Sequence, residues 1–351
     1  MNSCNKLMSE LQVQDALYQP GKFWREASKD MLEELSQHGI SSFRSLKTSQ
    51  NFFAPTYGVP GNALTEAQVE QLKQTIEEQS SSSKQRDYIA EFLSGYSAAL
   101  SDYRTLLASE YCPESESESE PKINLLKFSE SNVGQPTEQF EFEGNQYSRS
   151  ALNYLLGLSF LRKYTELSEI KTVMEIGGGF GTLGEIVHQV MPKTKYIDID
   201  IPPTLCCSTY YLKEVVGKNR VTTEQDIESA EKINVDKLKR ISLLPSWKIE
   251  QIEGKVDLFV NFISFQEMEP DIVTNYLKQV VRLNANWIIL RNMREGKQLS
   301  TEHRIGVESP IYSEDYVKML PDYKLVATNV WPYGFKTVDG YHSEIMLFKR
   351  R

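Results

Sequence analysis

The sequence predicts an α/β protein in which a helical N-terminal region precedes a mostly parallel sheet covered on both faces. Three observations carry this. From Ile170 onward, apolar strand-like runs alternate with helical ones, the pattern of parallel strands joined by crossover helices. Within that stretch Val173-Met174-Glu175-Ile176 passes into Gly177-Gly178-Gly179-Phe180-Gly181 and straight into a helical pattern, the strand-turn-helix arrangement of a Rossmann-like unit. The first hundred residues instead place apolar side chains at helical spacing.

In the N-terminal region, Phe23, Trp24, Ala27, Met31, Leu32 and Leu35 recur with helical period before Gly39, which suits a C-terminal stop. Thr65 and Gln68 form a capping-box pattern that opens a second helix through Val69, Leu72 and Ile76. A third helix is expected through Ile89, Phe92, Leu93, Tyr96, Leu100, Tyr103 and Leu107, its aromatic stripe serving core packing. The serine run 80–83 interrupts these helices, and residues 113–121, with alternating Ser and Glu between two prolines, read as a solvated linker. The chain is therefore divided into a helical region (1–112), a Ser/Glu linker (113–121) and a sheet domain (122–351).

Phe140 and Phe142 before Gly144-Asn145 suggest a hairpin, and a helix over 150–164 leads into the sheet. Strands are expected at 171–176, 195–199, 220–223, 256–262, 287–290, 323–330 and 344–348, with helices at 181–191, 204–216 and 271–283. No long helix separates the last two strands, so a closing antiparallel pair is expected there.

With 351 residues, 40% of them hydrophobic, the chain can bury a sizeable core. No apolar run approaches the roughly 20 residues that span a bilayer, and the first residues show neither a basic nor an apolar leader region, so a cytoplasmic address is expected. Cys4, Cys112, Cys206 and Cys207 form no metal-binding spacing and read as reduced thiols. A net charge of -9 argues against nucleic acid as a partner, because such binding rests on Lys and Arg at phosphates. Small-molecule chemistry is favoured, and a homo-oligomer is left open.

The glycines have a specific reason to stand where they do. A ligand laid across the carboxyl edge of the sheet approaches the backbone closely, and a Cβ at the turn would block it. Gly179-Phe180-Gly181-Thr182-Leu183-Gly184 also fits the dinucleotide pattern, with Asp198 or Asp200 at about the offset of a ribose-binding acid, so a nicotinamide-dependent oxidoreductase stands as a rival. Glu175 separates the two readings. A carboxylate beside a pyrophosphate repels it, whereas S-adenosylmethionine carries an ammonium and a sulfonium and no phosphate.

Three segments extend this reading: Glu175 to Gly181, Tyr196-Ile197-Asp198-Ile199-Asp200-Ile201-Pro202-Pro203-Thr204-Leu205, and Asn261-Phe262-Ile263-Ser264-Phe265-Gln266-Glu267-Met268. Together with Gly134-Gln135-Pro136 and the helix holding Leu152, Asn153 and Tyr154, they resemble the sugar O-methyltransferase family related to the polyketide-antibiotic NanM proteins. The resemblance covers most of 130–350. It implies a seven-stranded methyltransferase sheet with its last strand antiparallel, S-adenosyl-L-methionine as cofactor, and a sugar, nucleotide-sugar or glycan substrate. It also implies that Glu175, Gly177 and Gly179, with Gly178 and Gly181 in the same turn, hold the donor's methionine and ribose part. Asp200 would take the ribose hydroxyls, with Asp198 and Asn261 as further cofactor-site residues.

Methyl transfer to oxygen is an in-line displacement that needs alignment of two atoms and removal of a hydroxyl proton. The loops after the fourth and fifth expected strands carry Asn261, Ser264, Gln266, Glu267, Asn292, Arg294, Glu302 and His303. Glu267 and His303 are the catalytic candidates, with His342 as a weaker one; His188 reads as structural and His38 as a helix-end residue. Glu267 has a second reading as the carboxylate capping the helix that begins near Pro270. No spacing assigns a metal. Residues 130–165 are expected to cover the site, so that loss of 1–110 would harm donor binding less than loss of 1–165. A non-catalytic donor-binding protein that acts as an assembly partner through its N-terminal helices is the remaining alternative.

Overall fold

A computed structural model describes residues 2–58, 66–111, 123–302, 305–337 and 340–351. The regular structure of the N-terminal region is helical: α1 (Asn2–Leu11), α2 (Lys22–His38), α3 (Lys47–Phe52), α4 (Glu66–Gln79), α5 (Ser83–Leu93) and α6 (Tyr96–Glu110). As expected, α2 stops at Gly39, whose φ is 79° and whose N–H bonds the Leu35 carbonyl at 2.9 Å. The capping box at Thr65 and the linker over 113–121 fall outside the described residues. The third helix differs from expectation. It is two helices, α5 and α6, broken at Ser94-Gly95, because the chain at Tyr57-Gly58 passes so close that a Cβ on Gly95 would lie 2.3 Å from the Gly58 nitrogen.

The expected hairpin is present as β1 (Phe140–Phe142) and β2 (Asn145–Tyr147). Helix α7 (Arg149–Arg162) follows, capped by the Ser148 hydroxyl, which accepts from the Ala151 N–H at 3.2 Å. Every residue of α7 from Ala151 to Leu161 is buried, so this helix is a core element and not a surface one.

The rest of the chain runs in the order β3 (Thr172–Ile176), α8 (Thr182–Val190), β4 (Lys195–Asp200), α9 (Thr204–Val216), β5 (Val221–Thr222), β6 (Ile233–Asn234), β7 (Ile241–Pro245), β8 (Ile252–Glu253), β9 (Leu258–Phe262), α10 (Pro270–Arg282), β10 (Trp287–Met293), α11 (Ser313–Met319), β11 (Tyr323–Asn329), β12 (Phe335–Lys336) and β13 (His342–Arg350), with β6 and β8 forming a small sheet of their own. The strands lie in the order β11-β13-β10-β9-β3-β4-β7-β5, with β12 attached to β13. Setting aside the two-residue strands β5 and β12 leaves a seven-stranded Rossmann-like sheet in which β13 alone runs antiparallel to its neighbours β10 and β11. The chain leaves β3 in one direction for β4 and returns to β9 on its other side. That reversal opens a crevice at the carboxyl ends of these strands. Strand β7 had no counterpart in the sequence reading: Ile-Ser-Leu-Leu-Pro is a short run with a polar residue and a terminal proline, yet all five residues are buried between β4 and β5.

The N-terminal helices share one hydrophobic core with the sheet domain, since Leu7, Met31 and Phe43 belong to the same buried cluster as Leu155, Val187 and Leu243. An ion pair fastens the two parts. Arg44 meets Glu130 at 3.0 Å with 2% and 0% of the side chains exposed, donates to the Ser131 carbonyl at 3.1 Å, and lies 4.7 Å over the Phe180 ring just after the glycines. Glu130 in turn accepts from the Ser148 hydroxyl at 2.8 Å and from Gln139 at 2.9 Å. Removing one partner of such a buried pair leaves an uncompensated charge. Arg44→Ala is therefore expected to lower stability by ~3–5 kcal/mol in urea unfolding, and Arg44→Met combined with Glu130→Leu to be less damaging than Arg44→Ala alone. Equal losses in both would show that the pair is not the source.

Candidate active site

The turn after β3 is held open by backbone geometry that side chains resist: Gly177, Gly179 and Gly181 have φ of 72°, 61° and 98°. The Gly177 N–H bonds the Ile199 carbonyl at 2.9 Å and the Gly178 N–H bonds Asp198 Oδ1 at 3.1 Å, folding the turn onto the end of β4. A Cβ on Gly178 would strike Asp198, the Tyr196 hydroxyl and Glu175 at 2.6, 2.8 and 2.9 Å.

Behind the turn lie three buried acids. Glu175 is fully buried and accepts the hydroxyls of Tyr154 and Tyr196, each at 2.6 Å. Burial pushes its carboxyl up to about 7 against the lowering effect of the two tyrosines. Asp198 is raised well above the ordinary carboxyl range by burial and by the neighbouring charges of Asp200 and Glu175. Asp200 accepts from the Ile201 N–H at 2.7 Å and the Thr204 hydroxyl at 2.9 Å, and burial pushes it up to about 7 in spite of these bonds. Asp198 Oδ2 and Asp200 Oδ2 have no hydrogen-bond partner among the described residues.

At the carboxyl ends of β3, β4 and β9 lies a cavity of about 310 Å³. Of the cofactor-site residues read from the sequence, Gly177, Gly178, Gly179 and Asp200 line it, while Glu175, Asp198, Gly181 and Asn261 stand behind its wall. Asn261 is a strut: its side-chain N–H group donates to the Ile176 carbonyl at 2.9 Å and to Ser264 at 2.6 Å, and its oxygen accepts from the Phe265 N–H at 3.2 Å. Arg149, Ser150, Asn153 and Tyr154 form part of the wall, within the expected 130–165 segment. The N-terminal region also contributes, through Gln19, Pro20, Trp24, Phe52, Phe53 and Pro55. The cavity wall thus draws on residues 1–110 as well as on the 130–165 segment, so loss of 1–110 alone would already remove one side of it.

Glu267 lines the cavity and is fixed at both oxygens, by Lys297 at 2.7 Å and by the Trp24 indole N–H at 3.1 Å. It does not cap α10; Glu269 occupies that position. His303 lies outside the described residues. Gln266 receives the Met293 N–H and lines the cavity, and Asn292 holds the Gln266 N–H from behind. Arg294 pairs with Glu344 and His342 with Glu295, both away from the cavity lining. Among the described residues no group of three or more His, Cys, Asp or Glu is arranged to hold a metal ion, and no helix is long and apolar enough to cross a membrane. Cys4, Cys206 and Cys207 are free and buried.

Three lining residues escaped the sequence reading. Trp24 is indistinguishable there from a core member of the α2 stripe, Lys297 sits in a charged loop that resembles solvated surface, and Arg149 is the first residue of a helix whose only local signal is the Ser148 cap.

No family model matches the chain, and no curated protein matches it, so the resemblance to the sugar O-methyltransferases rests on the residues quoted for it. Among solved structures, the chain is similar to magnesium protoporphyrin IX methyltransferase (ChlM) from Synechocystis PCC 6803 with bound SAM, at 14% identity and a TM-score of 0.38 over 58% of this chain and 81% of that one. A SAM-dependent methyltransferase from Aquifex aeolicus is similar at 16% identity and a TM-score of 0.37, covering 57% of this chain and 94% of that one. The mitomycin 7-O-methyltransferase MmcR is similar at 10% identity and a TM-score of 0.37, covering 98% of this chain and 75% of that one.

The raised acids set a pH dependence. Carboxyls whose folded pKa lies above the unfolded value contribute stability that is fully present below about pH 4 and is lost as the pH rises through about 7 for Glu175 and Asp200. Thermal melts of the ligand-free protein should therefore shift downward between about pH 5 and 8, with a shallower slope in Asp200→Asn. A wild-type midpoint that rises across that window would contradict the assignment.

Proposed function

We propose that this chain is an S-adenosylmethionine-dependent methyltransferase that moves a methyl group to a hydroxyl of a sugar or glycosylated metabolite. The observation that carries the reading is the group of three acids behind the glycine turn, which burial holds toward the protonated form and which a cationic ligand would draw toward the ionised one. Glu175, Asp198 and Asp200 are buried together, none forms an ion pair with Lys or Arg among the described residues, and Asp200 keeps an oxygen free beside the cavity. A dinucleotide would bring two negative charges to acids that already resist ionisation; a ligand with a sulfonium, an ammonium and ribose hydroxyls would favour their ionised form.

In this reading Gly177, Gly178, Gly179 and Gly181 let the donor lie against the backbone, and Asp200 accepts the ribose hydroxyls. Glu175, Asp198 and Asn261 act through the turn and the neighbouring loop, which they hold in shape. The donor supplies an electrophilic methyl group; the protein aligns the acceptor oxygen in line with it and removes the proton. Glu267 is oriented by Lys297 and Trp24, and a carboxylate has about four acceptor positions, of which these contacts use two. The remaining positions receive the acceptor hydroxyl, with His303, which follows β10 in the sequence, as the base that finally holds the proton. The acceptor class rests on the sequence resemblance and is tested by mass spectrometry of sugar nucleotides and glycans from cells with and without the gene, where one added methyl identifies the product.

Calorimetry separates the donor readings. Wild type is expected to bind S-adenosylhomocysteine and not NADH, and Asp200→Ala to weaken that binding by ~1.5–3 kcal/mol, the range for a hydrogen bond to a charged group. NADH binding without S-adenosylhomocysteine binding would overturn the proposal. With an acceptor in hand, Glu267→Gln is expected to slow single-turnover methyl transfer by roughly 100-fold while donor affinity stays within about twofold; an unchanged rate would remove Glu267 from the chemistry.

A further inference from the structure

Four charged side chains line the cavity: Asp200, Glu267, Lys297 and Arg149. Glu267 and Lys297 neutralise one another at 2.7 Å. Arg149 is different. Its guanidinium donates to the Thr56 carbonyl at 2.9 Å and makes no ion pair with a carboxylate among the described residues. It lies 5.8 Å from the Tyr57 ring centre and 5.2 Å from that of Phe335, so its plane is held by aromatic faces while the described residues take up only one of its five N–H donors.

The carboxylates near it act through charge without bonding it: Glu138 accepts the Tyr57 and Gly58 N–H groups at 2.7 and 2.9 Å, and Asp102 accepts the Tyr57 hydroxyl at 2.6 Å. A second guanidinium, Arg291, stands behind the same wall only 1% exposed, facing Phe335 at 5.2 Å, and donates to the Asn153 and Tyr333 carbonyls and the Ser343 hydroxyl.

Position decides what this cation serves. Arg149 shares Phe335 of β12 with Arg291 of β10, whereas the glycine turn ends β3; β10 lies two strands from β3, and β12, attached beyond β13, lies four. At ~4.8 Å per strand that places the Phe335 ring roughly 10–19 Å from the glycine turn, on the side away from β4. We propose that Arg149 marks the acceptor end of the cavity and binds an anionic group, a phosphate or a carboxylate, on the molecule to be methylated. A planar fork with fixed faces and free edges suits either oxyanion in two-pronged fashion. The acceptor class is thereby narrowed from sugars in general to acidic or phosphorylated ones, an inference that rests on the methyl-donor reading.

The experiment is calorimetry on the full chain saturated with S-adenosylhomocysteine, titrated with glucose 1-phosphate, glucuronate or glucose. At least one of the two anions is expected to bind tenfold or more tightly than glucose, about the effect of one hydrogen bond to a charged group, and the better anion names the group. Arg149→Gln should erase that preference while leaving S-adenosylhomocysteine affinity within about twofold, and Arg149→Lys, which keeps the charge without the fork, should retain a weakened preference. Equal affinity or no binding for all three sugars overturns the proposal, as does a preference that survives Arg149→Gln. So does loss of S-adenosylhomocysteine affinity in Arg149→Gln with 5′-methylthioadenosine affinity kept, since that ligand lacks the amino-acid carboxylate and the guanidinium would then serve the donor. A wild type that binds no S-adenosylhomocysteine would instead bring down the methyl-donor reading itself.

Discussion

The contact between Arg44 and Glu130 holds together two parts of the chain that must meet for the cavity to exist. Arg44 belongs to the N-terminal segment that supplies Trp24, Phe52 and Phe53 to the cavity wall, and Glu130 belongs to the strap that precedes α7. Because the guanidinium also lies over Phe180, the same contact fixes the N-terminal segment against the residue that follows the three glycines. Hydrophobic burial drives this association but has no direction. The ion pair, with the Ser131, Ser148 and Gln139 hydrogen bonds around it, sets the register.

A second constraint works beneath the turn. Glycines at 177, 179 and 181 give the backbone its left-handed turns, but Gly178 is needed for another reason: the space its side chain would fill is taken by Asp198, Tyr196 and Glu175. The turn thus presents bare backbone to the cavity on one side and rests on a cushion of acids and tyrosine hydroxyls on the other. Tyr154 joins this cushion to the rest of the wall, with its hydroxyl on Glu175 and its ring stacked on Phe262 at 5.0 Å. The glycine turn and the β9 side of the cavity wall are coupled through one tyrosine.

The sequence made the parallel core legible because its signals are local. The strand before Gly177, the helix after Gly181, the strand ending at Asp200 and helix α9 all follow from apolar period and glycine placement over a dozen residues. What escaped the reading depends on contacts distant in sequence. The break between α5 and α6 answers to the passing chain at Gly58, and β7 is a strand because β4 and β5 flank it. The site divides the same way. Gly177, Gly178 and Gly179 were readable from spacing, and Asp200, which spacing left open against Asp198, from the resemblance, and all four line the cavity, whereas Glu175, Asp198 and Asn261 brace the turn and its neighbouring loop from behind, in contacts that only the fold reveals. Lys297, Trp24 and Arg149 carry no local mark at all.

The hydrogen bond from Trp24 to Glu267 joins residues 243 positions apart, and the one from Tyr18 to Glu250 joins residues 232 apart. Contacts of such range are the last that a chain closes, since each must wait for the intervening segments to be ordered. During synthesis residues 1–55 emerge with their aromatic faces unmatched, and β13, which completes the sheet between β10 and β11, is made after every other strand of that sheet. The cavity is therefore a product of the finished fold, and the apolar face of α2 has no partner until β9 and its following loop emerge. That period, not the folded state, is when this protein is most open to capture by chaperones or to self-association.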